Sequence, residues 1–206
     1  MAIMDDDFIS SELVSYLSRY FPMTDELARI FLARSFVKRF PKGTILLKEG
    51  DRVSDTYFIL SGCIRSYVIK NGDDKTVDFF IEGDPILPMG QGTDTRATHF
   101  LECSEDTLAI TSNSAQEEKA LAEHPQLKAI CLAMSETMAE KLQDTLARYR
   151  TSTPEERYGE LVEKRPDLLR RIPQYQIASY LGVKPESLSR IRKRLLGKKK
   201  PDTGRY

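Results

Sequence analysis

Gln174-Tyr-Gln-Ile-Ala-Ser-Tyr-Leu-Gly-Val-Lys-Pro-Glu-Ser-Leu-Ser-Arg-Ile-Arg-Lys-Arg-Leu195 reads as two short helices joined by a tight turn. Ile177, Ala178 and Leu181 form the inward face of the first, Ala178 being small where a second helix crosses closely. Gly182 supplies the left-handed turn residue that a Cβ would oppose, and Val183 plugs the junction. Leu188, Ile191 and Leu195 face the same core from the second helix, whose start Pro185 presets. Lys184 stands at its N-cap, where Ser or Thr would accept an amide hydrogen bond and Lys cannot.

That spacing turns Glu186, Ser187 and Arg190 away from the core. Their chemistry suits a major groove: Arg190 has the fork for guanine O6 and N7, Glu186 accepts from a cytosine amino group, and Ser187 or Ser189 reaches a base or a phosphate. Arg192, Lys193 and Arg194 add phosphate contacts, and Gln174, Tyr175 and Lys184 complete the expected DNA-contacting set. The competing reading is an ordinary helical hairpin with a charged outer face. The mutually consistent offsets of Ala178, Gly182 and the three core aliphatics favour the helix-turn-helix.

Charge agrees with this placement. From Arg148 to Tyr206 the chain carries 16 Lys and Arg against 7 Asp and Glu, and the remainder carries 15 against 24, so a net charge of zero divides into +9 and −9. A basic module on an acidic body points the end of the chain toward a polyanion. With 40% hydrophobic and 30% charged residues, the 206-residue chain is too apolar for disorder and too charged for a membrane protein. No run approaches the roughly 20 apolar residues of a membrane span. The acidic Met1–Asp7 start is unlike a signal peptide, so a cytoplasmic location is expected. Cys63, Cys103 and Cys131 lack paired spacing and read as plain thiols rather than a disulfide framework, metal site or redox sensor.

Upstream, Ser10 to Phe36 reads as helix, with Leu13, Leu17 and Tyr20 on one face and Thr24 capping a second segment through Leu27, Ile30 and Phe31. From Phe36 to Ile110 the texture changes to short strands: Thr44 to Leu47, Thr56 to Leu60, Ile64 to Ile69 and Thr76 to Ile81. Glycines fall between these runs, and Asn71-Gly72 is the strongest hairpin signal. An antiparallel sandwich or roll follows.

Leu127, Ile130, Met134, Met138, Leu142, Leu146 and Tyr149 then step through a long helix. Their stripe packs on its own sandwich or on the same helix of a second chain; its length, leading into the basic module, favours the second. Thr151 to Pro154 break the pattern. Thr153 as N-cap, Pro154 at the first position and Glu155 with Glu156 predict a fresh helix there. A shorter helix is expected over Pro166 to Arg171, and Gly197 is expected to end the last helix before a basic tail at Lys198 to Lys200.

Lys42-Gly43, Glu49-Gly50-Asp51, Tyr57-Phe58-Ile59-Leu60-Ser61-Gly62, Glu82-Gly83-Asp84, Pro154-Glu155-Glu156-Arg157-Tyr158 and Ile177 to Arg192 together resemble the Crp/Fnr superfamily, most closely its Bacteroidetes-type members. The resemblance implies an α+β fold: an N-terminal antiparallel β-roll of the cyclic-nucleotide-binding type, a double-stranded β-helix with flanking helices (1–114), a long dimerisation helix (115–150) and a C-terminal winged helix-turn-helix (151–206). It also implies a homodimer on a palindromic double-stranded operator, contact with RNA polymerase, and base contacts by Glu186 and Arg190. A ligand pocket would include Asp84 near the ribose-binding position and Arg96, Ala97 and Thr98 near the phosphate-binding position. The sequence departs from the nucleotide-binding pattern at Pro85-Ile86-Leu87-Pro88-Met89-Gly90, where each proline removes an N–H donor and opposes the helix that would cradle an anion.

The expectation is therefore a DNA-binding regulator not controlled by cyclic AMP, with no cofactor. The alternative is a module that binds a cyclic nucleotide or other small ligand and acts through a protein partner. His99 and His124 read as ordinary histidines, and no grouping of nucleophile, base and orienting residue suggests an enzyme.

Overall fold

Tyr57, Phe58, Ile59 and Leu60 are all buried, and that uninterrupted run explains the architecture around them. The computed structural model describes residues 6–19, 22–32, 36–87, 96–125 and 127–198. Strands β1 (Phe36–Phe40), β3 (Asp55–Ser61), β6 (Pro85–Ile86) and β8 (Thr107–Asn113) form one sheet in the order β1-β8-β3-β6. Strands β2 (Ile45–Leu47), β4 (Ile64–Lys70), β5 (Asp73–Phe80) and β7 (Phe100–Cys103) form the other, in the order β2-β7-β4-β5. Successive side chains of a strand point to opposite faces. Tyr57 and Ile59 therefore enter the core between the sheets with Ile64, Ile86, Leu101 and Cys103. Phe58 and Leu60 point the other way, into a second core under helices α1 (Asp6–Leu17), α2 (Asp25–Leu32), α3 (Ser114–Glu123) and the first part of α4 (Leu127–Thr151). A strand covered on both faces must be apolar throughout, which is why this stretch does not alternate.

The chain divides into two compact units, one of Met1–Val68 with Asp78–Lys141 and one of Ile69–Val77 with Leu142–Tyr206. In the first, Leu13, Leu17 and Leu27 are buried as the helical spacing predicts, Tyr16 is buried beside them, and the Thr24 hydroxyl accepts the Leu27 amide at 3.3 Å. Tyr20 lies outside the described residues. Phe36, expected to close the helical region, opens β1 instead, its backbone paired with β8. Two helices occupy the region following Ser114: α3 closes at His124, just before Pro125, and α4 starts at Leu127.

In the second unit, α5 (Pro154–Lys164) begins as expected, with the Thr153 hydroxyl accepting the Glu156 amide and the Glu156 carboxylate accepting the Thr153 amide. Then come α6 (Leu168–Arg171), α7 (Gln174–Tyr180) and α8 (Pro185–Lys198). Tyr158, Leu161, Leu168, Ile172, Ile177, Ala178, Leu181, Leu188 and Ile191 are its buried apolar side chains. Helix α8 runs through Gly197 to Lys198, one residue beyond the expected stop, because a glycine lowers helix propensity without removing the backbone donor. The expected tail at Lys199 and Lys200, and any wing strand after α8, lie outside the described residues. Asn71-Gly72 forms the turn between β4 and β5, with φ of 56° and 84°.

Candidate nucleic-acid interface

The turn between α7 and α8 closes by backbone hydrogen bonds. Gly182 N–H donates to the Ser179 carbonyl at 3.0 Å and Val183 N–H to the Ala178 carbonyl at 2.9 Å, with Gly182 at φ 71°. These two bonds are the Schellman pattern that satisfies the last carbonyls of a helix and reverses the chain. The Lys184 carbonyl then accepts from Ser187 at 3.0 Å and Leu188 at 3.1 Å, which makes Lys184 the N-cap of α8, as its position implied. Leu188 and Ile191 turn inward at 1% and 4% exposure, which sets the opposite face outward.

On that outward side Glu186, Ser189, Arg190 and Lys193 are exposed, as are Lys184, Gln174 and Tyr175, whereas Ser187 is half-buried. Arg194 is exposed too, but its Nη2 lies 2.9 Å from a Glu155 carboxylate oxygen on α5. Of the cations expected on phosphate, this one is paired within its own unit. Helices α7 and α8 thus bring the predicted set into one unit, with Lys184 preceding the acidic Glu186 and Arg190 and Lys193 following it.

Two residues for which the sequence suggested no contact, Arg157 and Ser179, shape the same unit. The Arg157 guanidinium donates to the Ser152 carbonyl at 2.6 Å and to the Leu181 carbonyl at 2.9 Å, and it lies 4.4 Å from the centroid of the Tyr149 ring. The Ser179 hydroxyl accepts the Thr76 amide at 2.9 Å. Arg157 sits four residues past the N-cap Thr153, a position that also suits an ordinary surface cation, and Ser179 reads as a solvated helix serine. Neither position announces its partner.

The β-roll holds a separate cavity of about 550 Å³, whose wall includes Leu47, Arg52, Asp55, Tyr57, Arg96 and His99. Arg96, Ala97 and Thr98 line it, as expected for the ligand positions, whereas Asp84 is not among its lining residues. The Asp84 carboxylate accepts the Ile81 amide at 2.9 Å within its own turn, and Arg96 Nη1 donates to the Gly50 carbonyl at 2.9 Å. A cyclic nucleotide needs a carboxylate for its ribose and a cation for its phosphate facing one space. The expected partners, Asp84 and Arg96, do not both line this cavity, although Asp51, Arg52 and Asp55 do. Pro85 and Ile86 form strand β6 rather than the first turn of an anion-cradling helix; Pro88, Met89 and Gly90 lie outside the described residues.

Burial pushes the Cys103 thiol up to about 11 and also raises Cys131, so neither has the lowered pKa of a reactive thiolate. Among the described residues no cluster of three His, Cys, Asp or Glu side chains could hold a metal ion, and no helix is long and apolar enough to cross a membrane.

Residues 37–124 match the cyclic nucleotide-binding domain family. Solved structures extend the likeness beyond those residues: FixK2 from Bradyrhizobium japonicum matches with a TM-score of 0.66 at 20% identity, over 80% of this chain and 85% of that one. The chain has the Crp/Fnr fold. The c-di-GMP responsive global regulator CLP of Xanthomonas campestris shares the fold at a TM-score of 0.63 and 21% identity, over 82% of this chain and 90% of that one. The Thermus thermophilus catabolite activator protein shares it at 0.55 and 17%, over 89% and 87%. No curated protein matches the chain in sequence. The Crp/Fnr fold accounts for the roll, the long helix and the C-terminal helices predicted from periodicity.

Proposed function

We propose that the chain is a sequence-specific DNA-binding transcription regulator that acts as a homodimer and is not controlled by cyclic AMP. One observation carries the reading: on α8, Leu188 and Ile191 are buried while Glu186, Ser189, Arg190 and Lys193 stand exposed immediately after a Gly182 turn. A helix anchored on one side and bearing a guanidinium, a carboxylate and hydroxyls on the other is equipped to enter a major groove and discriminate base edges. The excess of cations from Arg148 onward supplies the salt-dependent phosphate attraction.

The homodimer reading rests on α4. Leu127 and Met134 are buried against their own unit, but Leu142, Leu146 and Tyr149 are 60%, 49% and 50% exposed. A second copy packed on this later stretch would cover the apolar stripe and place two recognition helices about 34 Å apart, one helical turn of DNA. Independence from cyclic AMP rests on Asp84, which is engaged in its own turn and absent from the cavity wall.

Selection of bound duplexes from a random pool, at two salt concentrations, tests the reading. It should return a palindromic sequence whose binding weakens steeply as salt rises. Indifference to sequence at both salts would refute it.

A further inference from the structure

We propose that Arg157, braced by the Tyr149 ring, is a positioning residue that locks the helix-turn-helix to the end of the long helix; this rests on the DNA-reading function proposed above. The contacts all lie within the C-terminal unit. Helix α4 ends at Thr151, so the carbonyls of its last turn lack helical N–H partners and carry the negative end of the helix dipole. Arg157 Nη1 donates to two carbonyls there, Ser152 at 2.6 Å and Tyr149 at 3.4 Å. Its Nη2 donates at 2.9 Å to the carbonyl of Leu181, the C-cap of α7. One planar cation thus bridges the electronegative ends of two helices. Its Nε is buried without a hydrogen-bond partner among the described residues, so the guanidinium is held by these carbonyls and by the aromatic face 4.4 Å away.

Tyr149 adds a steric element. A Cβ on Gly182 would come within 2.8 Å of the Tyr149 hydroxyl oxygen, so the tyrosine closes directly over the turn between α7 and α8. Leu181 and Gly182 are the residues from which the chain departs toward α8. Fixing one by a charge-assisted hydrogen bond and covering the other with a ring fixes where the recognition helix starts relative to the last turns of α4. A lysine in place of Arg157 keeps the charge but loses the fork that reaches both helix ends.

The test measures geometry and DNA binding separately. Nitroxide labels at Gln143→Cys and Ser189→Cys, in a Cys131→Ser background diluted with unlabelled protein, report the distance between α4 and α8 within one chain. The unsubstituted clamp should give a narrow distribution that broadens in both Arg157→Lys and Tyr149→Ser, with secondary structure retained. If Arg157→Lys fails to fold, Tyr149→Ser decides. Distributions as narrow as the parent's in the folded variants overturn the proposal.

On the selected duplex, without labels, Arg157→Lys should bind roughly tenfold or more weakly while its base-by-base preferences stay unchanged, because the reading face is intact but held less rigidly. Unaltered affinity in a variant with a broadened distribution overturns the positioning role. If the unsubstituted protein selects no sequence, the DNA reading fails, and the distance measurement alone then decides for or against the lock.

Discussion

The backbone N–H of Thr76 on β5 donates to the hydroxyl of Ser179 on α7 at 2.9 Å, a pairing between residues 103 positions apart in the chain. Thr76 is buried, and a helix side chain accepts its amide. The tip of the β4–β5 hairpin therefore belongs to the C-terminal unit, while the two strands continue into the roll.

Ser179→Ala removes that acceptor. It should destabilise the C-terminal unit by about 1–3 kcal/mol, the usual cost of depriving a buried donor of its partner. Hydrogen exchange should accelerate at Thr76 and along α7 but not at Ile59 in the roll. Uniform acceleration, or none, would show that the contact does not tie the hairpin tip to α7.

Arg190 and Lys193 are both exposed on α8, yet they should fail differently. Arg190→Ala should cost about 1–3 kcal/mol and relax preference at one base position. Lys193→Ala should weaken all sequences alike and lower the salt dependence by about one charge. Titrations of the selected duplex and of single-base variants, at several salt concentrations, separate the two. Identical profiles would mean that Arg190 does not read a base.

Gly62 and Gly72 both have positive φ, 102° and 84°, but differ in their surroundings. A Cβ at Gly62 would lie 2.6 Å from the Asp106 carbonyl oxygen and 2.7 Å from Thr107 Cα, whereas at Gly72 nothing lies within 4 Å. Gly72→Ala should cost only the backbone penalty of about 1–2 kcal/mol. Gly62→Ala must also displace main chain and should cost roughly 3 kcal/mol or more. Urea unfolding of the two variants checks the order, and a smaller loss at Gly62 would contradict this packing.

Burial at the cavity wall holds His99 below the ordinary histidine pKa of 6.5. The unfolded chain then takes up the proton first, so the contribution of His99 is present above about pH 6.5 and is lost as pH falls toward the folded value. Glu156 and Glu160 are held below the usual 4.5, Glu156 mainly by the Thr153 amide and Glu160 mainly by Lys164, so their contributions fade in a more acidic window. Replacing His99 with Gln should flatten the decline in Tm between about pH 7 and pH 5 without altering the decline below it. An unchanged slope in the upper window would assign that loss to other groups.

Much of this molecule is legible as local chemistry. The Thr153 capping box, the Asn71-Gly72 turn, the Schellman turn at Gly182 and the inward spacing of Ile177, Ala178, Leu181, Leu188 and Ile191 each depend on residues within a few positions of one another. Sequence spacing alone therefore specifies them. The same logic predicted the outward set on α8, because burying one side of a helix exposes the other.

Partners distant in the chain were not legible, because side-chain type constrains what a group can bond but not which group folding brings within 3 Å. Arg157 could have been one more surface cation; only the packed helices present it with Ser152 and Leu181. Arg194 reads from sequence as a phosphate contact and Asp84 as a ribose-binding position; only the folded chain shows Glu155 beside the one and the Ile81 amide on the carboxylate of the other. The stripe on α4 looks continuous in sequence, but tertiary packing buries Leu127 and Met134 and leaves Leu142 and Leu146 exposed. Periodicity and turn chemistry by themselves determined the C-terminal helices and the outward face of α8, but not the start of β1 at Phe36 or the break between α3 and α4. The meeting of helix ends, hairpin tip and unmatched carbonyls was decided only by the folded chain, since those contacts exist nowhere until distant segments are packed together.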